Sequence, residues 1–204
     1  MNRRTIRILF LDIGGVLLTN GWSGSSRKKA AVQFGFDFEE TEDRHQLFAG
    51  LLEEGGITLD EYLRHVVFFR ERDFSVDEFR RFMFSCSRPH QETIELMRGV
   101  KDRHGIRVAA INNESRELTR QRIDSFGLGS LCDFFVSSCY VGVRKPDERI
   151  YRLALNLADV EPGEAVYVDD RPGLAEVAAG LGMNVIVHKS LEETRGALAG
   201  MGLS

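Results

Sequence analysis

Four small groups of polar residues carry the side chains that could do chemistry: Asp12 with Gly14 and Gly15, Asn112 with Asn113, Lys145, and Asp169 with Asp170. Three of them stand where a β-rich apolar run ends, after Ile8-Leu9-Phe10-Leu11, after Ile106 to Ile111 and after Ala165 to Val168. An Asp at the end of such a run most often closes a turn or caps a helix. The surroundings of Asp12 argue for more. Gly14-Gly15 lets the backbone approach a ligand closely. Asp169-Asp170 sets two like charges side by side after a buried run, which is costly without a cation, and Mg²⁺ is held by few carboxylates together with carbonyls and waters. A divalent cation is the economical explanation.

Lys145 stands out by composition. The chain uses 22 Arg and 5 Lys, yet Lys145 lies between Arg144 and Pro146. Lysine offers a compact point charge where arginine offers a flat fork. Near the other polar groups it would neutralise an anion.

These groups need elements that bring them together. The runs named above, with Phe134-Phe135-Val136 and Val185-Ile186-Val187, read as buried strands. Helical patterns separate the later ones: Leu118, Arg122 and Phe126 before Gly127; Ile150, Leu153, Ala154 and Leu157; Leu174, Val177, Ala178 and Leu181 before Gly182. Strand and helix alternate, which predicts an α/β fold with a parallel sheet and right-handed crossovers. In such sheets ligands bind beyond the carboxyl ends of the strands, where the polar groups stand.

Residues 21–89 break this rhythm. They are rich in Arg and Phe, show helical patterns and lack a clear buried strand, and so predict a helical cap inserted after the first strand, with 1–20 and 90–204 forming the α/β core. Thr58-Leu59-Asp60-Glu61 and Ser75-Val76-Asp77-Glu78 have capping-box form and predict two helix starts. Phe68, Phe69, Phe74, Phe79, Phe82 and Phe84 are expected to pack these helices together.

With 204 residues the chain suffices for one main domain and a modest insertion. Hydrophobic residues at 43%, charged residues at 28% and a net charge of −4 argue against disorder and show no bulk basic field for nucleic acid. Cys86, Cys132 and Cys139 are odd in number, widely spaced and form no CxxC, as expected of reduced core thiols. The apolar stretch after the basic N-terminus is cut short by Asp12 and two glycines, too early for a signal peptide or a membrane span, so the cytoplasm is the expected address and no membrane the expected partner. His45, His65, His90, His104 and His188 show no metal-ligand spacing and are expected on the surface or in packing. Trp22 and Asn20 follow the first cluster closely enough to line an entrance, and Trp22 is equally placed to pack the first cap helix against the core.

The segments LFLDIGGVLLTNGW, VAAINNES, GVRKPDERIY and VYVDDRPGLAEVAAGLGM, in this order, resemble the four motifs of the haloacid-dehalogenase-like hydrolase superfamily, and the likeness covers nearly the whole chain. It is closest to the branch with sugar-phosphate phosphatases and the N-terminal phosphatase domain of epoxide hydrolases. The resemblance implies a Rossmann-like, doubly wound parallel sheet with a helical cap that closes over small molecules. It also implies that Asp12 is a nucleophile forming an aspartyl intermediate, and that Asp12, Asp170 and the Gly14 carbonyl hold Mg²⁺. Asp169 would be a ligand of that Mg²⁺ through water or a supporting partner of the site, Lys145 would offset charge, and Asn112 and Asn113 would position the transferring group.

Three positions depart from the family pattern. Gly14 stands where phosphatases carry a second Asp as general acid and base, a group that typically contributes ~10²–10⁴-fold. Asn112 replaces Ser or Thr, yet its amide can still donate to an oxygen. Leu174 replaces an Asp or Asn. The expected activity is Mg²⁺-dependent hydrolysis of a small phosphorylated metabolite with a good leaving group. A metal-free 2-haloacid dehalogenase and a weakened or non-catalytic binder of phosphate or protein are the alternatives.

Overall fold

A computed structural model describes residues 5–204; residues 1–4, including the basic Arg3 and Arg4, lie outside the described residues. The five apolar runs form β1 (Ile8–Leu11), β2 (Arg107–Asn112), β3 (Phe134–Ser137), β4 (Ala165–Asp169) and β5 (Asn184–Val187). All neighbours are parallel, in the order β3-β2-β1-β4-β5. The helices are α1 (Gly24–Phe34), α2 (Phe38–Glu53), α3 (Leu59–Val66), α4 (Val76–Ser85), α5 (Gln91–His104), α6 (Arg116–Ser125), α7 (Ser138–Val141), α8 (Glu148–Ala158), α9 (Pro172–Gly180) and α10 (Leu191–Gly200).

Side chains alternate across a strand, and helices cover both faces here. Ile8 and Phe10 pack with Tyr151 and Ala154 of α8 and Tyr167 of β4. Leu9 and Leu11 pack with Met97 and Val100 of α5 and Leu198 of α10. A strand covered on both sides reads as an unbroken apolar run, which is why these segments were visible as such.

Strand order decides where a ligand can bind. β2 and β3 lie on one side of β1, β4 and β5 on the other, so the crossovers reverse at β1 and its carboxyl end opens onto a crevice. Leu11 pairs with Ala110 and with Val168, which sets the next residue, Asp12, beside the ends of both neighbouring strands. Its N–H donates to the Val168 carbonyl at 2.9 Å.

Helices α1 to α4 lie between β1 and α5, with no strand among them. Both capping boxes form: Glu61 N–H donates to Thr58 Oγ1 and Thr58 N–H to the Glu61 carboxylate, and Ser75 and Glu78 repeat the exchange. Each such cap is worth about 1 kcal/mol. Tyr62, Leu63, Val66, Phe79 and Met83 form an interior shared with Leu118 of α6, through which the helices rest on the sheet layer. Phe68, Phe74, Phe79, Phe82 and Phe84 belong to it, whereas Phe69 does not: Arg44 lies over its ring, 3.6 Å from the centroid. The segments leaving and re-entering the sheet layer run side by side, Thr19 N–H bonding the Arg88 carbonyl at 2.8 Å and His90 N–H the Leu17 carbonyl at 2.9 Å. Among the described residues no helix is long and apolar enough to cross a membrane.

Candidate functional site

Asp12, Gly14, Asn112, Asn113, Lys145 and Asp170 line one cavity of about 980 Å³ at the carboxyl end of the sheet. Gly15 and Asp169 do not line it. Gly15 supports Asp170 from behind: at φ 79° it takes a left-handed conformation, and a Cβ there would fall 2.1 Å from Asp170 Oδ2. Asp169 is fully buried beneath the cavity.

Lys145 Nζ lies 2.9 Å from Asp12 Oδ1 and 2.8 Å from Asp169 Oδ2, so one cation serves two carboxylates. The Tyr167 hydroxyl donates to the same Asp169 oxygen, and Arg171 N–H donates to the other at 2.8 Å. Asp169 thereby braces Lys145 through one oxygen and the Arg171 backbone through the other. Asn113 fixes the lysine from the other side, its Oδ1 accepting Lys145 N–H and its Nδ2 donating to the Lys145 carbonyl, both at 2.8 Å. Both polar atoms of the Asn113 side chain are therefore committed to the Lys145 backbone rather than to the cavity.

Burial raises the Asp12 pKa; Lys145 pulls it back and Asp169 pushes it up again, leaving it at about 6. Burial works against the Lys145 cation, but the charges of Asp12 and Asp169 prevail and hold its pKa above the ordinary value. Asp12, Asp169 and Asp170 each present an oxygen within 4.8 Å of the others. Asp12 and Asp170 reach the cavity itself, and Asp169 lies behind them. Asp170 Oδ1 is buried without a hydrogen-bond partner, a cost of about 1–3 kcal/mol that a ligand would remove. The donor set is all oxygen, as Mg²⁺ requires.

Asn112 supplies the complementary vacancy. Ser137 on β3 donates to its Oδ1 at 2.8 Å, fixing the amide and leaving Nδ2 buried and without an acceptor. Leu174, in the first turn of α9, is 6% exposed and lines the cavity, and its carbonyl accepts the Tyr151 hydroxyl at 3.2 Å.

Several cavity residues escaped sequence reasoning. Glu114 and Arg122 form a buried pair at 3.0 Å. Burial pushes the Glu114 carboxyl up in pKa while Arg122 opposes the shift. The available signal was a charge on the inward stripe of a helix, between Leu118 and Phe126. His45 also lines the cavity, while keeping the packing role expected of it against the buried Tyr62. Trp22 Nε1–H donates to the Tyr62 hydroxyl at 2.9 Å, and that hydroxyl lies 2.8 Å from His45 Nδ1. Tyr62 is fully buried, so its proton is satisfied by donating to Nδ1, which leaves His45 with its proton on Nε2. Burial, then the Arg27 charge, lower the His45 pKa to about 4. Glu53, also on the wall, bonds Arg144 at 2.9 Å and ties α2 to the segment carrying Lys145.

The phosphoserine phosphatase of Thermus thermophilus is 32% identical over 131 residues, 63% of this chain and 47% of that protein. Flavin mononucleotide hydrolase 1 of Arabidopsis thaliana is 24% identical over 157 residues, 74% of this chain and 61% of that protein. The chain thus spans less than two thirds of the length of these curated relatives. HAD family enzyme bt-2542 of Bacteroides thetaiotaomicron, also solved as a complex with magnesium and inorganic phosphate, superposes with a TM-score of 0.77 at 21% identity, covering 92% of this chain and 96% of that one. A family model described as haloacid dehalogenase-like hydrolase matches residues 6–182, most of the sheet layer and all four helices between β1 and α5, and on that match the chain belongs to the haloacid dehalogenase-like hydrolase family.

Proposed function

We propose that the protein is a Mg²⁺-dependent phosphatase of a small phosphorylated metabolite, working in the cytoplasm through an aspartyl-phosphate on Asp12. One observation carries the reading: residues of a single cavity present a buried acceptor without a partner, Asp170 Oδ1, and a buried donor without a partner, Asn112 Nδ2. The first suits a cation and the second a phosphoryl oxygen. The curated relatives named as phosphatase and mononucleotide hydrolase support it, as does the Bacteroides complex with magnesium and phosphate. The free Cys86, Cys132 and Cys139 support a reducing compartment.

Asp12, Asp170 and the Gly14 carbonyl would hold the Mg²⁺, which when bound offsets the charge of carboxylates and phosphate. The Asp12 carboxylate attacks phosphorus, and the bond from phosphorus to the leaving oxygen breaks with its electron pair on that oxygen. Lys145 keeps Asp12 ionised and oriented, and Asn112 Nδ2–H donates to a phosphoryl oxygen. Asn113 and Asp169 act by positioning Lys145. Water then cleaves the aspartyl-phosphate at phosphorus and restores the carboxylate. Residues 21–89 act as the cap over residues 5–20 and 90–204, with Trp22, His45 and Glu53 on its inner wall. Gly14 offers no proton, so aryl, acyl and anomeric phosphates are the preferred class.

The test is a panel of such phosphates assayed with Mg²⁺ and with EDTA, beside Asp12→Asn. Metal-dependent phosphate release that the variant abolishes is expected. Absence of release across the panel, or its survival in Asp12→Asn, overturns the reading.

A further inference from the structure

Arg122 is a buried cation at the base of the proposed cap, 3% exposed. Its Nε donates to Ser87 Oγ at 3.0 Å, its Nη2 to the Thr19 carbonyl at 3.4 Å, and its Nη1 pairs with Glu114 at 3.0 Å. Glu114 is itself held by Ser115 N–H at 3.0 Å. The guanidinium lies against Gly21, where a Cβ would fall 2.1 Å from Nη2, so only glycine leaves it room. Its Nη1 stands 3.8 Å from the point where a Cβ on Gly14 would be. The cation therefore occupies the surroundings that a side chain two residues after Asp12 would enter.

A guanidinium carries more N–H donors than these contacts use, and Arg122, Gly14 and Asp12 all line the same cavity. We infer that Arg122, oriented by Glu114, binds the oxygen of the departing group and replaces the carboxylic acid missing at Gly14. The inference rests on the phosphatase reading above.

Arginine does not release a proton at neutral pH, so it stabilises the leaving oxygen as an anion. As Asp12 attacks, the electron pair of the breaking bond stays on that oxygen, hydrogen-bonded to the guanidinium. A departing alkoxide takes a proton from water, and the hydroxide so formed attacks the aspartyl-phosphate at phosphorus, giving hydrogen phosphate and the Asp12 carboxylate. A departing phenolate or carboxylate leaves as the anion, and water attacks at phosphorus to give dihydrogen phosphate and the Asp12 carboxylate. Charge stabilisation of this kind matters most where the leaving oxygen is most basic.

The experiment measures kcat/KM on aryl and alkyl phosphates that differ in leaving-group pKa, for the wild type, Arg122→Gln, Arg122→Lys and Asp12→Asn. Arg122→Gln is expected to lose about 10-fold on p-nitrophenyl phosphate and ~10²–10³-fold on alkyl phosphates, the range for removal of one preorganised donor. Arg122→Lys keeps the buried charge and recovers part of the loss at the alkyl end. It is the variant to rely on if the glutamine form does not fold. Equal losses across the series, with no selective recovery by lysine, are what a purely structural role produces and overturn the inference while leaving the phosphatase reading intact. A wild type inactive on every substrate removes that reading and this inference with it.

Discussion

Asn20 Oδ1 lies 2.7 Å from the point where a Cβ on Gly14 would stand. A real Cβ does not tolerate that approach, so Asn20 must move if Gly14 is replaced. Its Nδ2 donates to Asp170 Oδ2 at 3.2 Å, which couples any such movement to the proposed metal site. Restoring the carboxylic acid is therefore not a one-residue change. Gly14→Asp alone is expected to weaken Mg²⁺ binding and leave alkyl phosphate turnover no higher than in the wild type. Gly14→Asp with Asn20→Ala is expected to raise that turnover. Calorimetric titration with Mg²⁺ and the alkyl phosphate rate decide it; a single variant that already outperforms the wild type rejects the coupling.

Removal of the charge on Asp12 exposes what burial costs. Desolvation is the largest influence on its carboxyl and lifts the pKa to about 6 despite Lys145. Asp12→Asn is accordingly expected to melt no lower than the wild type in EDTA, while losing turnover. With Mg²⁺ added the order should reverse, because only the wild type gains the full binding free energy. Scanning calorimetry in the two buffers reads this directly.

Lys145 is expected to behave in the opposite way. Lys145→Met leaves Asp12 and Asp169 as two buried carboxylates without their shared cation. Loss of one member of a buried charge pair costs about 3–5 kcal/mol, measurable by urea unfolding, and turnover should fall as well. A variant as stable as the wild type contradicts this account of the site.

Asn112→Asp is nearly isosteric and replaces the unpartnered donor by a charge that repels phosphate. Inorganic phosphate binding should weaken and kcat should fall by about 10²–10³-fold. Unchanged phosphate affinity by calorimetry counts against Asn112 as a phosphoryl contact.

His45 supplies the pH dependence. Its folded pKa is about 4 against an ordinary 6.5. Between these values the unfolded chain takes up a proton that the folded chain refuses, so folding stability from this group is complete above about pH 6.5 and declines as pH falls toward 4. The wild type should lose more stability than His45→Gln between pH 7 and 4.5 in urea unfolding. Parallel losses mean that His45 is not held neutral.

The strands, the parallel sheet and the clustering of Asp12, Asn112 and Asp170 were legible because each rests on local information, whereas Lys145 was placed there by the family resemblance. A doubly covered strand needs an apolar run, a capping box needs its residues at fixed spacing, and a parallel sheet brings the residues after its strands to one edge. Register and side-chain partners are not local. Asn113 and Asn112 are neighbours in sequence, yet one clamps the Lys145 backbone and the other keeps a free donor, since Ser137 engages only Asn112. Asp169 and Asp170 look equivalent, but only the first is consumed by Lys145, Tyr167 and Arg171. Arg122 fits a helical pattern in the sequence. The return of the chain at Ser87, the turn at Thr19 and the carboxylate of Glu114 make it a buried cation beside Gly14. The sequence determined that Asp12, Asn112 and Asp170 gather at the end of the sheet. Only the tertiary structure decided which of them keep a free valence, because hydrogen bonds between distant segments use up the rest.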